Sequence, residues 1–342
     1  MFRILHGTHY DFIKFWKLAV WLTVGFIAIG LVIMAIRGPR YSIEFTGGTL
    51  MQVAFKQPPN PADLRSTMES GGIRGAEIQE YGNNREYTIR AQDKALVASQ
   101  AAGAEGVSRD VERLLTSRFG AGAFTILRTE AIGPKVGSEL RRGAIYALLI
   151  SFVITLIYLA FRFDWRFGAA AIIATAHDTV ATIAFLVMMN IEVSLTVIAA
   201  ILTVVGYSLN DTIIIFDRVR ENLHRKRKET LYDTLNRSIN ETLPRTIMTN
   251  VTTLSATLAL LIFGGEVIRP FAWIVSFGIF TGTFSSVYVA GPILLWIEKR
   301  WPRDLSDRGR SPGQGSTAQA STKSRSRTAA PDVAATNASG TR

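Results

Sequence analysis

The chain contains no cysteine, which excludes disulfide bonds and thiolate-bound metals and leaves the compartment open. The stretch between about 37 and 141 has no histidine, and its acidic residues are scattered as on a solvated surface. It offers no catalytic constellation and no metal-ligand set, so the chain reads as a non-enzyme with no cofactor. A G-x-G-D element is also missing, because Asp211 follows Ser208, Leu209 and Asn210. That argues against an intramembrane aspartyl protease, whose two carboxylates share a proton. The first apolar segment ends in IRGPR without a small-x-small cleavage site, and is expected to be a retained helix, not a signal peptide.

What the chain has in abundance is apolar sequence, clustered in runs. Of 342 residues 48% are hydrophobic, and the mean hydropathy is +0.21. Six runs, about 18–36, 143–161, 167–189, 194–216, 247–264 and 270–297, approach the roughly 20 residues a tilted helix needs to cross the hydrocarbon core. In lipid the backbone must satisfy its own hydrogen bonds, so these runs are helices. The expected class is an α-helical membrane protein with six transmembrane helices.

The net charge of +11 suggests nucleic acid until the charges are placed. With a cytoplasmic N-terminus, sixteen basic residues flank the helices on the cytoplasmic side, including Lys14, Lys17, Arg162, Arg166, Arg218 and Lys299. The short outside loops NIEV and GGEVIR hold one, Arg269. This asymmetry predicts a multi-pass membrane protein with both termini in the cytoplasm, and no nucleic-acid partner. The cluster HRKRK (224–228) also suits anionic lipid or an acidic partner.

The organisation that follows is 1–17 as a cytoplasmic N-terminus, 18–36 as the first helix, 37–141 as an extracytoplasmic domain and 142–300 as the remaining five helices. The low-complexity tail, 301–342, has too few apolar residues to bury a core and is expected to be disordered in the cytoplasm. The outside domain reads βαββαβ, a small ferredoxin-like α+β domain. Its first strand lies within YSIEFTGGTLMQVAF, and its first helix begins at Asn60-Pro61. Asn83-Asn84 reads as a hairpin, GVSRDVERLLTSRFG as the second helix and AFTILRTEAIG as the last strand.

Polar side chains recur at helical spacing inside three of the runs. Thr175, Asp178, Thr179 and Thr182 share one face. So do Thr203, Gly206, Tyr207, Asn210 and Asp211, and again Thr246, Thr249, Asn250, Thr253 and Thr257. Such stripes are expected to face one another or a partner. The hydroxyls alone are explained as helix glue, worth about 0.6 kcal/mol per bond. A carboxyl is not: an acid at membrane depth costs roughly 2.5–3.5 kcal/mol on insertion scales, and such groups commonly carry protons or ions. Asp211 is therefore the leading proton-carrying candidate and Asp178 the second. Arg245, after Pro244, is expected in the first turn of the fifth helix and within reach of Asp211. His177 is expected to point about 100° away from Asp178. Gly278, Gly282, Ser286 and Ala290 form a small-residue packing face.

One helix, a large outside domain and five further helices resemble half of an RND-type transporter. IEFTGGTL (43–50), with Gly47 and Gly48, resembles the F-x-G-G element of the SecD/SecF family. EVSLTVIAAILTVVGYSLNDTIIIFDRVREN (192–222) resembles its fourth-helix signature on the SecF-type side, and SINETLPRTIMTNVTTL (238–254) the R-T-x-x-T region that follows. The resemblance covers about residues 10–300. It implies pairing with a SecD-like chain, association with the SecYEG channel and contact with a translocating unfolded polypeptide. It further implies use of proton-motive force to promote the late steps of export. By motif position it implies proton-carrying Asp211, a functional Arg245 and a less decisive Asp178. The coupling ion stays open between H⁺ and Na⁺. Alternatives are half of another RND-type proton-driven exporter, which the small outside domain disfavours, or a passive assembly subunit.

Overall fold

The computed structural model describes residues 9–73, 76–81, 83–91, 104–225 and 229–302. The expected disordered tail lies outside the described residues from 303 onward, as do the central residues of the HRKRK cluster, 226–228. Six helices among the described residues are long and apolar enough to cross a membrane. They are α1 (Trp16–Arg37), α5 (Pro134–Arg162), α6 (Trp165–Met188), α7 (Leu195–Arg225), α8 (Leu231–Phe263) and the pair α9 (Gly265–Ser285) and α10 (Gly291–Arg300). A π-turn, Ser286–Ala290, joins the last two, where the sequence suggests one unbroken helix.

Several helices outrun their apolar cores. Helix α7, with 31 residues, is about 46 Å long at 1.5 Å per residue, beyond the ~30 Å of hydrocarbon. Helix α8 corrects the reading of Pro244: the helix starts at Leu231, and Pro244 lies inside it. The cap explains this start. Thr230 Oγ1 accepts from the Asp233 backbone N–H at 3.2 Å, and Asp233 supplies a negative charge in the first turn. Arg245 therefore sits mid-helix.

Between α1 and α5 lies the expected small domain. Its elements are α2 (Ile43–Thr46), β1 (Gly48–Phe55), α3 (Pro61–Ser70), β2 (Glu77–Tyr81), β3 (Asn83–Ala91), α4 (Ala104–Phe119) and β4 (Phe124–Ile132). The sheet order is β2-β3-β1-β4, all neighbours antiparallel, as a ferredoxin-like βαββαβ chain requires. Asn60 caps α3 through Oδ1, which accepts from Ala62 N–H at 2.9 Å. Strand alternation sends Met51, Val53 and Phe55 of β1 and Tyr87, Ile89 and Ala91 of β3 to one face. There they meet Leu64 and Met68 of α3 and Val107, Val111 and Leu115 of α4. Burying each such side chain contributes about 1.5–3 kcal/mol. The same alternation turns Leu50, Thr88 and Arg90 to the opposite face, which looks onto the outer end of the bundle.

The first strand lies within the expected stretch and fills its second half, because residues 43–46 make a helical turn before β1. Gly47 ends that turn at φ +74°, ψ 166°, a region open to glycine almost alone. A Cβ there would lie 2.9 Å from Pro134 Cα, and one on Gly137 would lie 2.9 Å from Gly47 N. The double glycine thus lets β1 leave α2 directly against the first turn of α5.

In the bundle, small residues set the distances, since lipid supplies no hydrophobic drive between helices. A Cβ on Gly278 would meet Val204 Cγ2 at 2.1 Å, and one on Gly282 would meet Ser208 Cβ at 2.9 Å, so α9 lies directly on α7. Gly30 of α1 approaches Ala184 of α6 as closely. Phe277 stacks on Phe185 at 4.1 Å between centroids and on Phe26 at 5.5 Å.

Replacing Gly47 by alanine is expected to cost about 1–3 kcal/mol for the backbone conformation alone, with the Pro134 clash added. Gly25→Ala, which meets nothing within 4 Å, is the control. Thermal unfolding of the detergent-solubilised protein should show a lowered Tm for the first and none for the second.

Candidate functional site

Both membrane aspartates are buried, each 1% exposed. Helical geometry on α7 puts Tyr207, Ser208, Asp211 and Thr212 inward, between α8 on one side and α9 on the other. On α8, Asn250 is buried beside them. Its amide donates to Asp211 Oδ2 at 2.9 Å and also meets Thr283 Oγ1 of α9. Its own Oδ1 accepts from Tyr207 Oη at 2.6 Å, and Tyr207 Oη also bonds Thr253 Oγ1 at 3.2 Å. Asn250 is therefore the hub of a polar network spanning three helices. Asp211 Oδ1 is buried and has no hydrogen-bond partner among the described residues. The hydroxyl of Thr246, one turn before Asn250 on α8, is buried and equally unpartnered.

The second carboxyl has a different setting. Asp178 Oδ2 on α6 accepts from Ser208 Oγ of α7 and from Ser285 Oγ of α9, while Oδ1 lies 3.0 Å from His177 Nδ1. The sequence places His177 away from Asp178, yet the imidazole folds back onto its neighbour. Its Nε2 is buried without a partner. Asp178 is thus fully engaged where Asp211 is half engaged. Ser208 and Asp211 lie one turn apart on α7, so the two networks share that helix.

The expected stripes divide once placed. The hydroxyls of Thr175, Thr179 and Thr182 are buried, but each donates to a carbonyl four residues back on its own helix. They are satisfied locally and do not bridge helices. Thr203 and Asn210 are exposed on the outer face of α7, opposite Ser208 and Asp211. Thr249 is half-buried and bonds back to the Arg245 carbonyl at 3.0 Å. Arg245 itself is exposed and makes no ion pair with Asp211. Among the described residues neither Arg245 nor Asn210 has a side-chain partner, so the outer face of α7 and α8 carries an unmatched guanidinium and an unmatched amide. Gly47 and Gly48 lie far along the chain from this site, in the turn between α2 and β1.

Three contributing residues escape the periodicity argument: Ser208, Thr283 and Ser285. In α9 the hydroxyls of Thr281, Thr283 and Ser285 alternate with Gly282 and Phe284, so no polar face stands out from the small-residue face. The π-turn that follows Ser285 is the structural mark, since such turns gather at functional sites. Among the described residues no group of three or more His, Asp or Glu is placed to hold a metal ion.

With this geometry in place, the likeness to known proteins becomes informative. A family model described as "Protein export membrane protein SecD/SecF, C-terminal" matches residues 112–300, and one described as "SecD/SecF GG Motif" matches 32–59. The chain is 62% identical to a protein translocase subunit SecF of Gemmatimonas aurantiaca, over 89% of this chain and 91% of that one. It is 40% identical to the corresponding protein of Desulfurispirillum indicum, covering 85% and 92%. Among solved structures it resembles SecDF from Thermus thermophilus, a translocon-associated membrane protein, with TM-score 0.77 at 36% identity. Against SecDF in a super-membrane-facing form the TM-score is 0.62 at the same identity. The chain covers 40% of the length of each SecDF chain, and 88% of this chain is matched.

Asn250→Leu removes the side-chain partner of Asp211 and leaves the Tyr207 hydroxyl with Thr253 alone. Leaving buried polar groups unpaired costs about 1–3 kcal/mol, so the variant should unfold at lower temperature. Asn210→Leu, on the outer face, should leave the isolated chain's Tm unchanged.

Proposed function

The chain belongs to the SecD/SecF family of protein export membrane proteins, and from that premise we propose that it is one half of an ion-driven motor with Asp211 as the proton-carrying group. It is a multi-pass membrane protein and a translocase subunit, not an enzyme. The observation that carries the proposal is the carboxyl of Asp211: buried in the bundle, held by Asn250 through one oxygen and unpartnered at the other. An acceptor of that kind can take up a proton without breaking an existing bond. Gaining or losing the charge changes how strongly Asn250 is held by that carboxyl. Because Asn250 also holds Tyr207 on α7 and meets Thr283 on α9, the change is felt on three helices at once. Protonation then biases a two-state bundle, as charge switches do elsewhere.

Asp178 serves in this reading as the stationary acid, holding α6, α7 and α9 together through Ser208 and Ser285. The unmatched Arg245 and Asn210 on the outer face support a second membrane chain, because a guanidinium beside lipid is costly without a partner. A SecD-like half, as the SecDF relatives suggest, supplies that surface and completes the bundle. Arg245 then acts across the interface or on Asp211 once the helices shift, and no resting ion pair with Asp211 is required. The coupling ion is taken as H⁺; Na⁺ would need further oxygen ligands, and Thr246 is the nearest unpartnered hydroxyl by position on α8. The further partners in this proposal are the SecYEG channel and an unfolded polypeptide in transit. Both termini lie in the cytoplasm on the charge asymmetry, which puts the small domain outside.

Asp211→Asn, introduced beside a wild-type SecD-like partner, tests this directly. Export of a secreted protein should fall to the level seen without the complex, while co-purification with the partner persists. Normal export in that variant would reduce Asp211 to a helix-packing residue. Asp178→Asn should lower assembly or thermal stability more than it lowers export per assembled complex.

A further inference from the structure

The outside domain is fastened to the helix that carries Asp211. The loop between α6 and α7 runs past residues 190–194 beneath the sheet. Three kinds of contact meet there. The backbone makes a short parallel bridge between Tyr41 and Val193, with Ser42 N–H donating to Val193 O at 3.0 Å and Val193 N–H to Arg40 O at 2.7 Å. Glu44, in the turn before β1, accepts from Leu195 N–H at 2.6 Å, so a residue of the outside domain caps the N-terminus of α7. Glu192 takes two arginines: Arg40 at 3.2 Å and Arg90 of β3.

Arg90 is the unusual member. Its neighbours Ile89 and Ala91 fill the helix-covered core, and its own side chain on the other face is only 6% exposed. A buried arginine is tolerated only when its charge is matched. Glu192 from the bundle and Glu77 of β2, 3.4 Å away, match it. Two arginines and two glutamates thus balance within one cluster, at the margin of a cavity of about 450 Å³ between sheet and bundle. Arg90 Nη1 also reaches the Tyr41 carbonyl at 3.4 Å, tying the ion pairs to the backbone bridge.

We infer that Glu192 is the positioning residue that transmits movement of helix α7 to the outside domain, and that this joint stays closed through the working cycle. The inference rests on the proton-driven reading above. A shift of α7 along or about its axis is carried to the sheet because Glu44 holds its first turn and Glu192 holds the preceding loop. Glu192 touches neither the proton nor the cargo.

The test uses the assembled complex with its SecD-like partner, in cells for export and in proteoliposomes for proton flux. Glu192→Arg should abolish export while assembly and proton flux are retained, and adding Arg90→Glu should restore export. A purely structural role would lower assembly and flux together. Export at the wild-type rate in Glu192→Arg, or no recovery in the charge swap, overturns the joint. Should Glu192→Arg fail to assemble, the cysteine-free chain offers a second route. Tyr41→Cys with Val193→Cys places one disulfide across the backbone bridge, and export should be equal with and without reductant. Export arrested by the cross-link and released by reductant shows that the contact must open, which contradicts the proposal. Asp211→Asn run in parallel separates the two claims: if that variant exports normally the motor reading fails, whereas the joint alone fails if Glu192→Arg exports normally and Asp211→Asn does not.

Discussion

Helix α9 lies against α7 with only the Ser208 side chain between them at Gly282, and the polar interior depends on that approach. A wider gap would draw Ser285 from Asp178 and Thr283 from Asn250, taking one hydroxyl from the first carboxyl and loosening the amide that holds the second. Lipid gives helices no hydrophobic reason to associate, so small residues and close packing must hold the bundle. The glycines at 278 and 282 are therefore as much a part of the site as the acids. They permit a geometry in which one carboxyl is fully bound and the other keeps a free oxygen.

That asymmetry between the two aspartates organises the functional account. Asp178 accepts from two serines and meets an imidazole, a stable arrangement with little reason to change. Asp211 has one amide donor and an open oxygen, in a network whose hub, Asn250, reaches both neighbouring helices. Its outer flank bears Asn210 and Arg245, whose side chains have no partner among the described residues. At the other end of α7, the Glu44 cap and the Glu192 ion pairs bind the helix to a rigid sheet. A single helix thus joins the buried carboxyl, the exposed Asn210 face and the small domain, which is the arrangement the proposed charge-driven motor needs.

Much of this could be read from residue order. Apolar runs marked all six spans, alternation and turn residues marked the βαββαβ domain, and the cost of a membrane carboxyl singled out Asp211. The errors have physical causes. Pro244 looked like a helix start because proline suits a first turn, but the Thr230 cap fourteen residues earlier begins the helix, and the polar turns between are helical without being apolar. Thr203 and Asn210 share helical spacing with Tyr207 and Asp211, yet a stripe that wide wraps past the contact surface, so half of it faces out. Ser208, Thr283 and Ser285 were invisible because a hydroxyl in a membrane helix usually bonds its own backbone, as Thr175, Thr179 and Thr182 do. The pairing of Arg90 with Glu192 joins residues a hundred positions apart, and only the folded chain brings them together.

The central claim is that Asp211 itself gains and loses a proton. Infrared difference spectra of the reconstituted complex, recorded across a pH titration, read the protonated-carboxyl C=O stretch directly. A titrating band that disappears in Asp211→Asn and persists in Asp178→Asn is the predicted result. A spectrum unchanged by Asp211→Asn would place the proton elsewhere and contradict the account.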